Sequence, residues 1–243
     1  MRHFSAYELN ILLSHTIDPK TISNLNIPVE YIVKEAEFCE RNFVVNESTL
    51  IPRVETEYLI ELGLKYVKTQ MVRFADVGCG SGAIGLTFGI QLNLRNTLFE
   101  CSLSDISDEA LKVANQNYQL FKSLMGNNKV CIFNSNLLKG YSKENKLNII
   151  FANLPYIPSS RISILDKSVK DFEPVTALDG GSDGLKFIRE LLLNAKEYLS
   201  QDGVILLEVD DTHKDTKEFE KDWNIEVKND FNGKIRYWVC HVK

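Results

Sequence analysis

From Val72 onward the chain alternates short apolar runs with longer amphipathic stretches, and this rhythm limits the folds open to it more than any other feature. Candidate strands lie at 72–77, 97–103, 129–133, 147–152 and 203–209, with helical stretches near 83–92, 107–121 and 184–199 and a shorter one near 213–221. The runs are too apolar for strands wetted on one side, so the alternation predicts an α/β fold. Its sheet is mostly parallel, with helices on both faces. Two final runs, 223–228 and 235–242, flank Asn229-Asp230-Phe231-Asn232-Gly233-Lys234 and read as an antiparallel hairpin added to that sheet. Such an ending is unusual for a dinucleotide-binding domain.

The leading 49 residues differ in character. Residues 1 to about 25 read as helical, with Leu9, Leu12 and Leu13 forming a narrow apolar stripe. Asp18-Pro19 reads as an N-cap followed by a first-turn proline. Phe38, Phe43, Val44 and Val45, separated by charged residues, suggest a short hairpin within 26–50. From Leu50 to Glu57 runs LIPRVETE, followed by a helix to about Val67. The expected division is therefore a short N-terminal helical region and hairpin linker (1–49) on the substrate side and one α/β domain (50–243).

Net charge is −5, so no overall positive field favours nucleic acid. Five cysteines (Cys39, Cys79, Cys101, Cys131, Cys240) form no CxxC pair and read as reduced thiols of a cytoplasmic protein. No apolar run reaches membrane-spanning length, and no signal-peptide layout opens the chain. His3, His15, His213 and His241 are scattered, so neither a zinc site nor a catalytic triad is expected.

Gly78-Cys79-Gly80-Ser81-Gly82 closes the first strand of the alternation and opens a helix. Glycines there let the backbone approach a ligand and let the helix pack close to the sheet. Gly78-x-Gly80-x-x-Ala83 also fits the dinucleotide fingerprint. Asp76, two residues ahead, argues against a pyrophosphate and for a ligand carrying a sulfonium or an α-amino group. Asp105, at the tip of the next strand, suits ribose hydroxyls, which NAD and S-adenosylmethionine both carry. Its other reading is a helix cap, a task Ser107 could equally perform.

Asn153-Leu154-Pro155-Tyr156 follows the buried run 148–152. The Asn153 carboxamide oxygen and the Leu154 carbonyl, directed by Pro155, are two acceptors at fixed spacing. They suit the NH2 of a neutral amide or of a nucleobase, with Tyr156 packed on the planar group that carries it. The alternative for the tetrapeptide alone is a strand end with a proline turn.

Together, DVGCGSG, the acid at the second strand tip and NLPY resemble the class I S-adenosylmethionine-dependent methyltransferases of the N-P-P-Y type. LIPRVETE at 50–57, Glu173-Pro174, Ala177-Leu178, Gly180-Gly181, Asp183-Gly184-Leu185 and the tail DFNGKIR at 230–236 narrow the resemblance to the release-factor glutamine methyltransferases. It covers about residues 26–243. The resemblance implies a Rossmann-like class I methyltransferase sheet and transfer of a methyl group to the glutamine side-chain amide of the GGQ loop of a peptide chain release factor. It assigns S-adenosylmethionine to Asp76, Gly78 to Gly82, Asp105, Asn136, Leu137 and Asn153. Substrate falls to Arg53, Asn153, Leu154, Pro155 and Tyr156, the last four being the catalytic loop. For Arg53 the residues themselves leave a surface ion pair open as well.

Three departures mark this chain. Leu154 stands where the family carries proline, a form also seen in rRNA adenine dimethyltransferases. Asn136 replaces the acid usual after the third strand of the alternation, with Leu137 at the adenine-packing position, and the leading helical region is short. The rival functions are an adenine N-methyltransferase acting on rRNA or DNA, and a SAM-fold binding module without activity. An NAD dehydrogenase ranks below both, because no hydride-site histidine or lysine cluster is visible.

Overall fold

A computed structural model of the chain describes residues 4–22 and 26–243; His3 and the other residues of the expected N-terminal helical region at 1–3 and 23–25 lie outside the described residues. In chain order come α1 (Ala6–Ser14), α2 (Pro19–Ile22), α3 (Val29–Val33), β1 (Glu35–Phe38), β2 (Arg41–Val44), α4 (Tyr58–Lys65), β3 (Met71–Val77) and α5 (Ala83–Leu94). Then follow β4 (Leu98–Asp105), α6 (Asp108–Phe121), β5 (Lys129–Asn134), β6 (Leu147–Ala152), α7 (Ser159–Ile162), α8 (Lys167–Lys170), α9 (Lys186–Ala195), β7 (Leu199–Glu208), β8 (Trp223–Asn229) and β9 (Ile235–Val242).

Seven strands form one sheet in the order β5-β4-β3-β6-β7-β9-β8. All neighbours are parallel except β9, which runs antiparallel to both β7 and β8. The period-2 alternation of the strands divides their side chains between two cores. Phe74, Phe99, Phe151 and Leu206 join residues of α4, α5 and α6 on one face, while Ala75, Ile150, Ile205 and Trp238 join α9 on the other. Burial on both faces explains why the strands read as nearly continuous apolar runs. No helix among the described residues is long and apolar enough to cross a membrane.

The strand order reverses between β3 and β6, and there the register sets the function-bearing ends side by side. Val77 pairs with Ser104 on one side and Ala152 on the other, and Ala152 pairs with Leu207. The residues next in line are Gly78 and Asn153, which leave the sheet, and Asp105 and Glu208, the last residues of β4 and β7. In sheets of this kind the crevice beyond the strand carboxyl ends at the switch point is where ligands bind.

Several sequence expectations change. The helix expected near 213–221 is only a 3-10 turn at Lys217–Phe219, because the single buried apolar residue, Phe219, gives no helical face to bury. The N-terminal stripe narrows to Leu12: it is fully buried with Ile22 and Val29, while Leu9 and Leu13 face solvent. Asp18 does cap α2, its Oδ1 accepting from Lys20 N at 3.0 Å. The hairpin is β1–β2, but a helix, α3, precedes it within 26–50, and α7 and α8 lie in a stretch without assigned elements. Strand β7 begins at Leu199, earlier than the apolar run at 203.

The β1–β2 hairpin is fastened to the sheet domain from within. Phe38 and Phe43 belong to the same buried cluster as Phe74 and Phe88. Asn117 of α6, fully buried, accepts from Val44 N at 2.7 Å and donates through Nδ2 to Val44 O and Ser81 O, both at 2.9 Å. One side chain thus satisfies an edge strand and the glycine turn together. Asn117→Ala strands those buried backbone groups and is expected to lower stability by about 2–4 kcal/mol. Urea denaturation checks this, and a loss within experimental error would contradict the fastening role.

Candidate active site

A cavity of about 460 Å³ lies over the carboxyl ends of β3, β4 and β6, a volume in the usual range for a small-molecule site. Gly78 to Ser81 contribute one wall, Asp105 to Ser107 and Ser135 to Leu137 a second, and Asn153 to Pro155 a third. Residues 174–177 close another side, and Phe38, Ser48 to Leu50, Pro52 and Thr56 reach it from the leading segment.

The glycine turn takes its shape because Gly78, Gly80 and Gly82 all have positive φ (73°, 53° and 79°), a region that costs side-chain-bearing residues energy. It is tied to the tip of β4: Gly78 N and Cys79 N both donate to Ser104 O (2.8 and 2.9 Å), and Gly80 N donates to Asp105 Oδ2 at 2.9 Å. Asp105 Oδ1 accepts from Ser107 N at 2.9 Å. The cap of α6 is made by Ser107, whose Oγ accepts from Ala110 N, so Asp105 is left facing the cavity with lone pairs to spare on both oxygens. Burial raises its pKa, and the backbone donors partly offset that.

Asp76 takes a different place from the rest of its set. It is fully buried behind the turn and does not line the cavity. Its Oδ2 accepts from Gly85 N at 2.8 Å and its Oδ1 has no partner. Burial pushes its pKa up to about 7, the Gly85 N–H pulling down and the Asp105 charge pushing up. Asn136 and Leu137 both line the cavity, Leu137 with φ 51°. Ser135 Oγ donates to Leu137 O and accepts from Gly140 N, which fixes that loop.

The tetrapeptide divides. Asn153, Leu154 and Pro155 line the cavity, but the Tyr156 side chain turns away and its hydroxyl donates to Glu208 Oε1 at 2.7 Å. Leu154 is buried, and a Cβ on Gly78 would stand 3.0 Å from its Cδ2. Asn153 Nδ2 donates to Thr56 Oγ1 and to Glu208 Oε2, each at 3.2 Å. Its Oδ1 is the end without a hydrogen bond among the described residues. Thr56 Oγ1 donates in turn to Glu208 Oε2 at 2.6 Å. Glu208 is almost fully buried, which raises its pKa; the hydroxyls of Thr56 and Tyr156 and the nearby Arg236 offset part of the rise.

Arg53 is paired with the buried carboxylate of Glu173, whose Oε2 also accepts from Ile51 N at 3.3 Å. Arg53, which the resemblance assigns to substrate, does not line the cavity: it makes the ion pair that is its other reading, with a buried rather than a surface partner, fastening LIPRVETE to the segment after the tetrapeptide, and Pro52 reaches the cavity. That later segment runs back along the tetrapeptide. Ile157 N donates to Leu178 O at 3.0 Å and Gly180 N donates to Ile157 O at 2.9 Å. Gly184, at φ 81°, comes so close to the Tyr156 carbonyl oxygen that any Cβ would overlap it.

Glu208 and Thr56 are not among the site residues expected from the sequence, although Thr56 lies inside LIPRVETE. Glu208 closes an apolar run, and an acid ending a buried strand beside an asparagine-ended neighbour was its one visible signal.

Comparisons with known proteins give the family. A family model described as methyltransferase small domain matches residues 57–168. A release factor glutamine methyltransferase of Enterococcus faecalis is 35% identical over 182 residues, covering 75% of this chain and 62% of that protein. One from Bacillus anthracis is 33% identical over 227 residues, covering 89% of this chain and 77% of that protein. The chain therefore spans about three-fifths of the first relative's length and about three-quarters of the second's. Among solved structures, a methyltransferase from Pyrococcus furiosus superposes with a TM-score of 0.59 at 15% identity, covering 98% of this chain and 99% of that one, a likeness of fold. With a sheet of class I methyltransferase order and the glycine turn, strand-tip acid and Asn153 loop meeting at its switch point, the chain belongs to the release factor glutamine methyltransferase family.

Proposed function

We propose that this protein transfers a methyl group from S-adenosylmethionine to the side-chain amide nitrogen of the glutamine in the GGQ loop of a peptide chain release factor. The observation that carries the reading is the fixed carboxamide of Asn153, whose NH2 end is bonded inward to Thr56 and Glu208. That leaves its oxygen as a side-chain acceptor, and Asn153 and Leu154, whose carbonyl is the second acceptor of this reading, both line the cavity. A primary amide has two N–H donors, and two neighbouring acceptors match them.

The residues around the cavity fit the cofactor. Asp105 offers carboxylate lone pairs for a ribose diol, and a Cβ placed on Gly80 would meet nothing within 4 Å, so backbone there is open to close approach. Asp76 serves the cofactor from behind the turn, its Oδ2 holding Gly85 N in the first turn of the helix that the glycines open. Asn136 and Leu137 supply a polar and an apolar contact on the adenine side. Bound S-adenosylmethionine supplies an electrophilic methyl group on sulfur.

An amide nitrogen is a weak nucleophile because its lone pair is delocalised into the carbonyl. Asn153 Oδ1 and the Leu154 carbonyl compensate by orientation, accepting the two N–H groups so that the nitrogen faces the methyl donor. Positive charge grows on that nitrogen during transfer, and the two oxygens attract it more strongly than they attract the ground state. Pro155 stiffens the loop. Tyr156 and Arg53, assigned to substrate from the sequence, serve it in this reading by bracing the wall through Glu208 and Glu173. Glu208 is behind the wall and already accepts from three donors, so it is not the proton acceptor; the proton leaves to solvent. Residues 1–49 form the substrate-side region and 50–243 the catalytic domain, and a release-factor substrate places the reaction in the cytoplasm.

Incubation with labelled S-adenosylmethionine, a folded release factor and ribosomal RNA is expected to label the factor's GGQ glutamine. Asn153→Ala is expected to lower single-turnover transfer by about two to three orders of magnitude with little change in cofactor affinity. Label on adenine of the RNA would overturn the substrate assignment in favour of the nucleobase reading. Wild-type transfer in Asn153→Ala would remove the loop from the mechanism.

Asp105→Ala is expected to weaken S-adenosylmethionine binding by about 1–3 kcal/mol, the loss of hydrogen bonds to a charged acceptor. Calorimetric titration measures it. An unchanged affinity, or binding of NAD to the wild-type protein, would contradict the cofactor assignment.

A further inference from the structure

Asparagine's carboxamide has two ends of nearly the same size and opposite polarity, so its partners alone decide which end faces the cavity. At Asn153 both partners of the inward end are acceptors. Glu208 Oε2 lies 3.2 Å from Nδ2, and a carboxylate oxygen can only accept. Thr56 Oγ1 also lies 3.2 Å from Nδ2, and a hydroxyl could in principle either donate or accept. Its single proton is committed to Glu208 Oε2 at 2.6 Å, so it too presents lone pairs to Asn153. Glu208 thus sets the polarity of both contacts, one directly and one by orienting the threonine. Tyr156, donating to the other carboxylate oxygen at 2.7 Å, holds Glu208 in place.

We propose that Glu208 is a positioning residue for methyl transfer: placed beside Asn153 by the pairing of Ala152 with Leu207, it holds the carboxamide with its NH2 inward and its oxygen toward the cavity. The proposal rests on the amide-methylation reading and adds what keeps its acceptor an acceptor. Without Glu208 the Thr56 hydroxyl is free to rotate and donate to the Asn153 oxygen. The carboxamide then turns over and sets its NH2 against the NH2 of the substrate, donor against donor. Burial of Thr56 and Glu208 away from water makes the choice of orientation steep, because an unpaired polar group there is costly.

The test uses the full chain with Glu208→Leu, Glu208→Gln, Asn153→Ala and the double variant Glu208→Leu/Asn153→Ala. Single-turnover transfer to the release factor is measured per folded molecule, with cofactor affinity by calorimetry. Glu208→Leu is expected to slow transfer about a hundredfold, the scale of losing one preorganised group, while cofactor affinity stays within about twofold. Glu208→Gln keeps one carbonyl oxygen for Thr56 and Asn153 and can turn its NH2 to the Tyr156 hydroxyl, which accepts. It is expected to recover about tenfold of that loss, and it remains informative if the leucine variant folds poorly. Because Glu208 acts through Asn153, the leucine change should add less than about twofold in the Asn153→Ala background.

A readout independent of the substrate separates this proposal from the reading beneath it. The ¹⁵N side-chain amide pair of Asn153, identified by its loss in Asn153→Ala, should be protected from hydrogen exchange in the wild type and Glu208→Gln and unprotected in Glu208→Leu. Wild-type transfer in folded Glu208→Leu, the same loss with or without Asn153, or an unprotected wild-type amide would each overturn the positioning role. A protected amide in a protein that labels no release factor would retain the Glu208–Asn153 coupling and reject the substrate assignment alone.

Discussion

The parallel pairing of β6 with β3 on one side and β7 on the other is the constraint from which the site follows. Because Val77 pairs with Ala152 and Ala152 with Leu207, these residues of three neighbouring strands stand at the same height. The next residue of each is then Gly78, Asn153 and Glu208. A shift of one residue in either pairing would turn the strand's core residues outward and separate the turn from the asparagine. The two large apolar cores oppose such a slip, since Phe74 and Phe151 face one and Ala75 and Ile150 the other. Packing far from the cavity therefore fixes distances inside it.

Around this centre the chain returns twice to brace one loop. Residues 50–57 bring Thr56 to Asn153 and Arg53 to Glu173, while residues 173–184 bring backbone alongside Ile157. Gly180 and Gly184 permit that approach because backbone atoms occupy the space where their side chains would be. The sequence stretches that looked like separate motifs are, in three dimensions, one brace around Asn153 to Tyr156. The buried Glu173 and Glu208 carry negative charge into this region, and each meets donors or a guanidinium, as buried charge requires.

Much of this was legible in the sequence where the cause is local. The alternation of apolar runs marks the parallel strands, the run of glycines marks a turn with positive φ, and the late Asn-Gly turn marks the antiparallel hairpin. Ser107 as the cap of α6, which frees Asp105, could be weighed but not decided, because both residues stand at suitable positions. What stayed hidden depends on distant partners. Nothing near Asn117 announces that it will hold Val44, and Glu208 is recruited by residues 52 and 152 positions earlier in the chain. The failed helix near 213–221 and the narrowed stripe of α1 share one cause: of 213–221 only Phe219, and of Leu9, Leu12 and Leu13 only Leu12, is a buried apolar residue.

The central claim is that a fixed pair of oxygens, Asn153 Oδ1 and the Leu154 carbonyl, receives the NH2 of a glutamine side chain. A crystal structure of the protein with S-adenosylhomocysteine and a GGQ-containing release-factor domain tests it most directly. The account predicts the glutamine Nε2 at about 2.7–3.2 Å from both oxygens, the ordinary hydrogen-bond range, with Asn153 Nδ2 still on Glu208. A glutamine held by other groups, or an Asn153 carboxamide turned with its NH2 toward the substrate, would contradict it.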